Sequence, residues 1–155
     1  MSFSESSSRL LKGTHGTSKS RAEAIVDSEE FQASADGQLG AGAYFWAYDE
    51  DMSLARRLAA NWWRFAGKKC NAYEGDADPS LAILKAHIEV GDNVYFDASS
   101  ESFLELLIKT AEERKIQSTK NDFNKLRAVL LKEIEEVQGF CFGVVRAEVD
   151  VPGII

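Results

Sequence analysis

The chain has 155 residues, 45% of them hydrophobic, which suits one domain with its own core. Its formal net charge of −7 argues against a general electrostatic footprint for nucleic acid. It does not exclude a local basic groove, because Lys12, Lys19, Arg21, Arg56, Arg57, Arg64, Lys68 and Lys69 concentrate in the first half, while the acidic "KEIEEV" sits at 132–137. No run approaches the roughly 18 apolar residues of a membrane span, and the opening "MSFSESSSRLLKG" has no apolar core of signal-peptide type. The expectation is a soluble, cytoplasmic protein with no membrane association. Cys70 and Cys141 lie far apart, without the paired spacing of a zinc or redox motif, so both are expected to stay reduced and no metal site is expected.

Taken in order, residues 1–8 read as a frayed, Ser-rich tail, and 9–155 as a single domain. "RLLKGT" predicts a strand. Ser20 with Glu23 fits a capping box, and Ala22, Ile25 and Val26 give one apolar face, so a helix is predicted over about 19–29. "EFQAS" predicts a short strand running into the glycine-rich loop "ADGQLGAG", followed by the aromatic cluster "AYFWAY". Leu54, Ala55, Leu58, Ala59, Trp62 and Phe65 recur at helical spacing, predicting a helix from about 49 to 66.

Beyond the turn-rich "AYEGDADPS", "LAILKAHIEV" predicts a buried strand, continued or partnered by "NVYFD" after a turn at Gly91-Asp92. His87 on that strand has no partner at metal spacing and reads as structural. Two helices follow, marked by Phe103, Leu104, Leu107, Ile108 and Ala111, then by Phe123, Leu126, Leu130, Ile134 and Val137. "FCFGVVRAEVDV" predicts a final strand before Pro152, and no internal repeat is visible. This irregular alternation indicates an α+β fold around one small sheet.

His15 lies in polar, small surroundings, unlike an ordinary core histidine. Together, "GTHGTS", "SRAEAIVDSEEF", "GQLGAGAYFW", "SLARRLAANWW" and "ILKAHIEVGDNVYFD" resemble the ADP-ribosyltransferase superfamily, over roughly residues 10 to 110. The branch is the histidine-tyrosine-glutamate one shared by diphtheria-toxin-like and poly(ADP-ribose) polymerase-like domains. The resemblance implies a small split antiparallel sheet flanked by helices; with the sequence ending soon after Pro152, the expectation is either a sheet abbreviated at the C-terminus or a truncated, inactive piece.

It also implies NAD as substrate. Breaking the glycosidic bond develops an oxocarbenium-like ribose and releases nicotinamide, so the dinucleotide must be gripped and positive charge stabilised. By resemblance His15 meets a ribose hydroxyl, the Gly16 backbone meets the nicotinamide amide, and Tyr44 stacks on the nicotinamide ring. Phe45 reads as core. Thr17 and Gly42 fall in the same motifs, and Ser34 either touches NAD or serves a turn. No aromatic stands around Arg56 to Leu58, where relatives place a second ring; Trp62 or Trp63 could serve from one turn further along.

Glu148 is the candidate catalytic glutamate, on a strand whose alternation shares its face with Arg146; the bland alternative is a surface glutamate on an edge strand. Arginine-modifying relatives place an acidic or amide residue two positions before the glutamate. Here that position is Arg146, which argues against arginine as acceptor. Glu133, Glu135 and Glu136 read as a solvated helix face.

The activity implied is NAD-dependent mono-ADP-ribosyl transfer to a macromolecular acceptor, protein or nucleic acid. The context implied is a bacterial or phage toxin or effector restrained by an antitoxin or immunity protein. With water as acceptor the chain would be an NAD glycohydrolase. Without catalysis it would be an NAD- or ADP-ribose-binding or interaction module.

Overall fold

A computed structural model describes residues 7–33, 42–116 and 120–148. Among these residues it shows an α+β arrangement with four helices and a small antiparallel three-stranded sheet. The described residues divide into two compact units, 10–33 with 43–89, and 7–9 with 42, 90–116 and 120–148.

The unit containing 10–33 and 43–89 is built on the strand β1 (Ser8–Ser18), longer than the sequence predicts, and the sheet order is β2-β1-β3. The edge strand β2 (Trp46–Ala47) is antiparallel to β1, with Gly13 opposite Ala47 and Thr14 opposite Trp46. The other edge, β3 (Leu81–Gly91), was expected to be buried. Of its residues only Ala86 and Val90 are, because among the described residues β3 is an edge strand paired with β1 alone. "EFQAS" is not a strand over 30–33.

Helix α1 (Lys19–Ser28) lies where the sequence puts it, but its cap is different. Ser18 is the N-cap and accepts from the Arg21 backbone N–H, whereas the Ser20 hydroxyl donates to the Asp78 carbonyl. Helix α2 (Ser53–Lys69) packs through Ala55, Ala59 and Ala66, three small residues spaced along one face, which lets a strand backbone approach closely.

In the other unit, β4 (Tyr95–Asp97), which follows a single 3-10 turn over Asp92–Val94, pairs with β5 (Val144–Arg146). The pair is parallel, with Phe96 opposite Val145, and it forms a sheet separate from β3, so "NVYFD" is neither the continuation nor the partner of that strand that the sequence suggested. A parallel pair needs a crossover, supplied here by α3 (Glu101–Glu113) and α4 (Lys120–Gln138). Ser100 caps α3 by accepting from the Phe103 N–H. The core is Ala98, Phe103, Leu107, Ala111, Leu126, Leu130 and Leu131, with the Phe96 ring against Phe103 and Phe142 at 5.1 and 4.7 Å. Leu104 and Ile108, expected on the buried face of α3, are 42% and 52% exposed, and Thr110 takes a buried position instead. Val137 of α4 is 90% exposed.

Helix α3 ends in a Schellman arrangement without glycine. Ile116 N–H donates to the Ala111 carbonyl at 3.0 Å, Lys115 N–H to Glu112 at 3.2 Å, and Lys115 sits at φ 52°. A side chain in this left-handed conformation costs energy that glycine avoids. Lys115→Gly is therefore expected to raise stability by about 1 kcal/mol in urea unfolding, while Gly139→Lys, at φ 83° beyond α4, should lower it by a similar amount.

Candidate functional site

The second half of β1 is buried on both sides, and its alternation decides what each residue touches. Thr14 and Gly16 face α2. The Thr14 hydroxyl donates to the Ala55 carbonyl at 2.7 Å, and a Cβ placed on Gly16 would stand 2.0 Å from the Ala59 carbonyl oxygen. Gly13 and His15 face the other way: a Cβ on Gly13 would meet the Phe45 Cβ at 2.8 Å. The half-buried His15 ring packs against Phe31 at 5.3 Å and Phe45 at 5.6 Å, and those two rings meet edge to face at 4.8 Å.

The His15 Nδ1 lies 2.8 Å from the Tyr44 carbonyl oxygen. A carbonyl can only accept, so Nδ1 carries the proton, and in the neutral ring Nε2 is left as an acceptor. Among the described residues Nε2 has no hydrogen-bond partner. The chain thus brings together His15 and the backbone of Tyr44, with a wall of Phe31 and Phe45. The sequence had read Phe45 as core and Phe31 as part of a strand. Glycine at 13 was the available signal, since it marks where a large neighbour must lie close.

The remaining candidates are distributed. Gly16 is buried against α2, so its missing side chain is needed for strand–helix contact. Thr17 is buried beside the Tyr73 hydroxyl. Trp62 is 39% exposed on α2, with its ring tilted against Phe65 at 5.7 Å. Ser34 lies outside the described residues. Gly42 and Glu148 belong to the other unit. β5 stops at Arg146, so Glu148 follows the strand instead of alternating along it. The expected long strand shortens because its partner β4 is three residues long. Glu148 is exposed, and its carbonyl accepts from Arg127 Nη1 at 3.1 Å.

A network anchors the segment 71–80 to the start of α1. The Ser18 hydroxyl donates to Asp76, Arg21 Nε pairs with the same carboxylate at 2.9 Å, and the Arg21 guanidinium lies over Tyr73 at 5.1 Å. The Ser18 hydrogen bond, then Arg21, hold the Asp76 carboxyl below its ordinary range, and burial pushes the Tyr73 hydroxyl up. Two open clefts adjoin this unit's helices, one of about 680 Å³ beside α2 and one of about 450 Å³ beside α1. Neither is lined by His15 or Tyr44. Among the described residues no group of His, Cys, Asp and Glu could hold a metal ion, Cys70 and Cys141 are free and exposed, and no helix is long and apolar enough to cross a membrane. No protein-family model matches the chain, and comparison with curated proteins and with solved structures likewise finds no match.

Two outcomes follow. Gly16→Ala should cost about 3 kcal/mol in urea unfolding, because the added methyl meets helix backbone that cannot turn aside. Asp76→Asn should lower the melting temperature at pH 7. Since the folded carboxyl is the stronger acid, its contribution is present above the unfolded pKa of about 4 and fades as pH falls through the folded value. The melting difference between wild type and Asp76→Asn is therefore expected to shrink between pH 5 and pH 3; a difference unchanged over that range would mean that Asp76 acts through something other than its charge.

Proposed function

We propose that the chain is an NAD-dependent mono-ADP-ribosyltransferase. The observation that carries this reading is His15: its ring is held by Phe31 and Phe45, and its Nδ1 by the Tyr44 carbonyl, so Nε2 is kept as an acceptor for a hydroxyl. A ribose hydroxyl is a donor of that kind, and the residues that fix the ring come from the segments whose resemblance suggested NAD. The phenol of Tyr44, next in chain to Phe45, is assigned to the nicotinamide ring, and Trp62 to its second face. In the reaction the bond between ribose C1′ and the nicotinamide nitrogen breaks, and its electron pair leaves with neutral nicotinamide. The cation at C1′ is captured by a nucleophile of the acceptor, which gives up a proton. Glu148 is assigned to stabilise that cation, because a carboxylate opposite developing positive charge is favoured in the transition state over the ground state. The acceptor is a macromolecule, and a restraining partner protein suits an enzyme whose activity harms its own cell.

The test uses purified chain, NAD carrying label in its ADP-ribose part, and cell lysate. Nicotinamide release with label on protein or nucleic acid is expected. Release without label would make the chain an NAD glycohydrolase, and neither signal would count against the whole reading. Two replacements of His15 separate ring anchoring from ligand binding. His15→Asn keeps an N–H donor for the Tyr44 carbonyl but has no group at Nε2, so NAD binding by calorimetry should weaken about tenfold with little change in melting. His15→Gln places its amide nearer to Nε2 and should retain more affinity. Glu148→Gln should abolish turnover while NAD still binds; unchanged turnover would remove Glu148 from the reaction.

A further inference from the structure

Helix α2 holds Arg56, Arg57, Arg64, Lys68 and Lys69 and no acidic residue, in a chain whose net charge is −7. All five side chains are exposed. With 3.6 residues per turn, Arg57, Arg64 and Lys68 fall within about 40° of one another around the helix. They lie opposite Ala55, Ala59 and Ala66, which bury it. At 1.5 Å per residue the three cations extend along about 16 Å of the axis. Cations aligned in this way on a helix that carries no carboxylate complement a chain of regularly spaced anions.

The same helix face opens into the cleft of about 680 Å³, whose lining includes Trp63, Arg64, Lys68, Asn71 and Tyr73. That volume is within the range of small-molecule sites and accepts a nucleoside. The Trp63 indole is fixed: its Nε1 donates to the Pro79 carbonyl at 3.0 Å, and its ring lies nearly parallel to Tyr73, with centroids 6.5 Å apart. Glu74 and Asp78, from the segment 71–80, also line the cleft. Asp78 Oδ1 already accepts from the Ser80 N–H at 3.0 Å and its hydroxyl at 2.6 Å. The acids belong to the loop and the cations to the helix, so phosphates are favoured on α2 and a neutral base toward the loop.

We propose that α2 and this cleft form a binding site for single-stranded nucleic acid, with backbone phosphates on Arg57, Arg64 and Lys68 and a base against Trp63. A duplex keeps its bases stacked and has none to place in the cleft, and a bilayer surface cannot enter a concavity of this kind. The site uses neither His15, Tyr44 nor Glu148, so it stands apart from the NAD reading.

The experiment titrates the full chain into a fluorescein-labelled oligothymidylate of about twelve nucleotides, following anisotropy at several salt concentrations. Saturable binding is expected, with a slope of log K against log salt of about −2 for three neutralised phosphates. Tryptophan fluorescence should be quenched on binding, and Trp63→Phe should remove most of that quenching. The double variant Arg57→Glu with Lys68→Glu should bind at least tenfold more weakly, while Lys132→Glu on α4 should bind as wild type does; circular dichroism melts check that each variant folds. No binding at 50 mM salt overturns the proposal, as does an equal loss in Lys132→Glu. Equally tight binding of the same sequence as duplex, or of vesicles containing phosphatidylglycerol, would overturn it in favour of a general polyanion or membrane surface.

Discussion

The approach of Gly16 to the Ala59 carbonyl sets the arrangement of the unit that carries His15. A strand backbone can lie this close to a helix only where neither side offers bulk, and β1 meets the requirement with glycine while α2 meets it with three alanines. The Thr14 hydroxyl, bound to the Ala55 carbonyl, fixes the register of that contact. Everything on the other side of β1 then follows from the twofold period of a strand. With residues 14 and 16 turned toward the helix, 13 and 15 must turn away. Glycine at 13 gives Phe45 its place, and Phe45 with Phe31 gives the imidazole its place. The tautomer of His15 is thus a consequence of helix packing on the opposite side of the strand.

The helices were legible in the sequence because their apolar residues repeat at three and four. α1 ends within a residue of its expected boundary, and both α3 and α4 fall where they were expected. Their ends were less legible. By local pattern Ser20, with Glu23 three residues on, is the stronger cap, and what reverses the choice is the Asp78 carbonyl, 58 positions away in sequence, which takes the Ser20 hydroxyl and leaves Ser18 to cap. The exposure of Leu104 and Ile108 was hidden for a related reason. A helix period shows which residues share a face, but not how wide a strip its neighbour covers.

At the candidate site, His15 was legible by its company of small polar residues, whereas its actual neighbours were not. β2 is only two residues long, too short for alternation to say which aromatic of "YFW" turns toward the histidine. Glycine was likewise ambiguous: at position 16 it serves protein backbone, a demand that leaves the same mark in sequence as one made by a ligand. One signal was present and easy to read. Asp51-Met52-Ser53, Asp78-Pro79-Ser80 and Asp97-Ala98-Ser99 each form the same turn, in which one aspartate oxygen accepts both the serine N–H and its hydroxyl. Each leads directly toward a new element: α2, β3 and α3.

The parallel pairing of β4 with β5 has a consequence for the order in which its unit assembles. Between these two strands lie both helices, so their contact closes a long loop whose entropy is lost before three residue pairs can repay it. Docking α3 against α4 first, through Leu107, Ala111, Leu126 and Leu130, shortens that loop to the span of a helical hairpin. Loop-closure entropy thus favours an order in which the strands meet after the helices have packed, with the segment after β5 and its Glu148 following them.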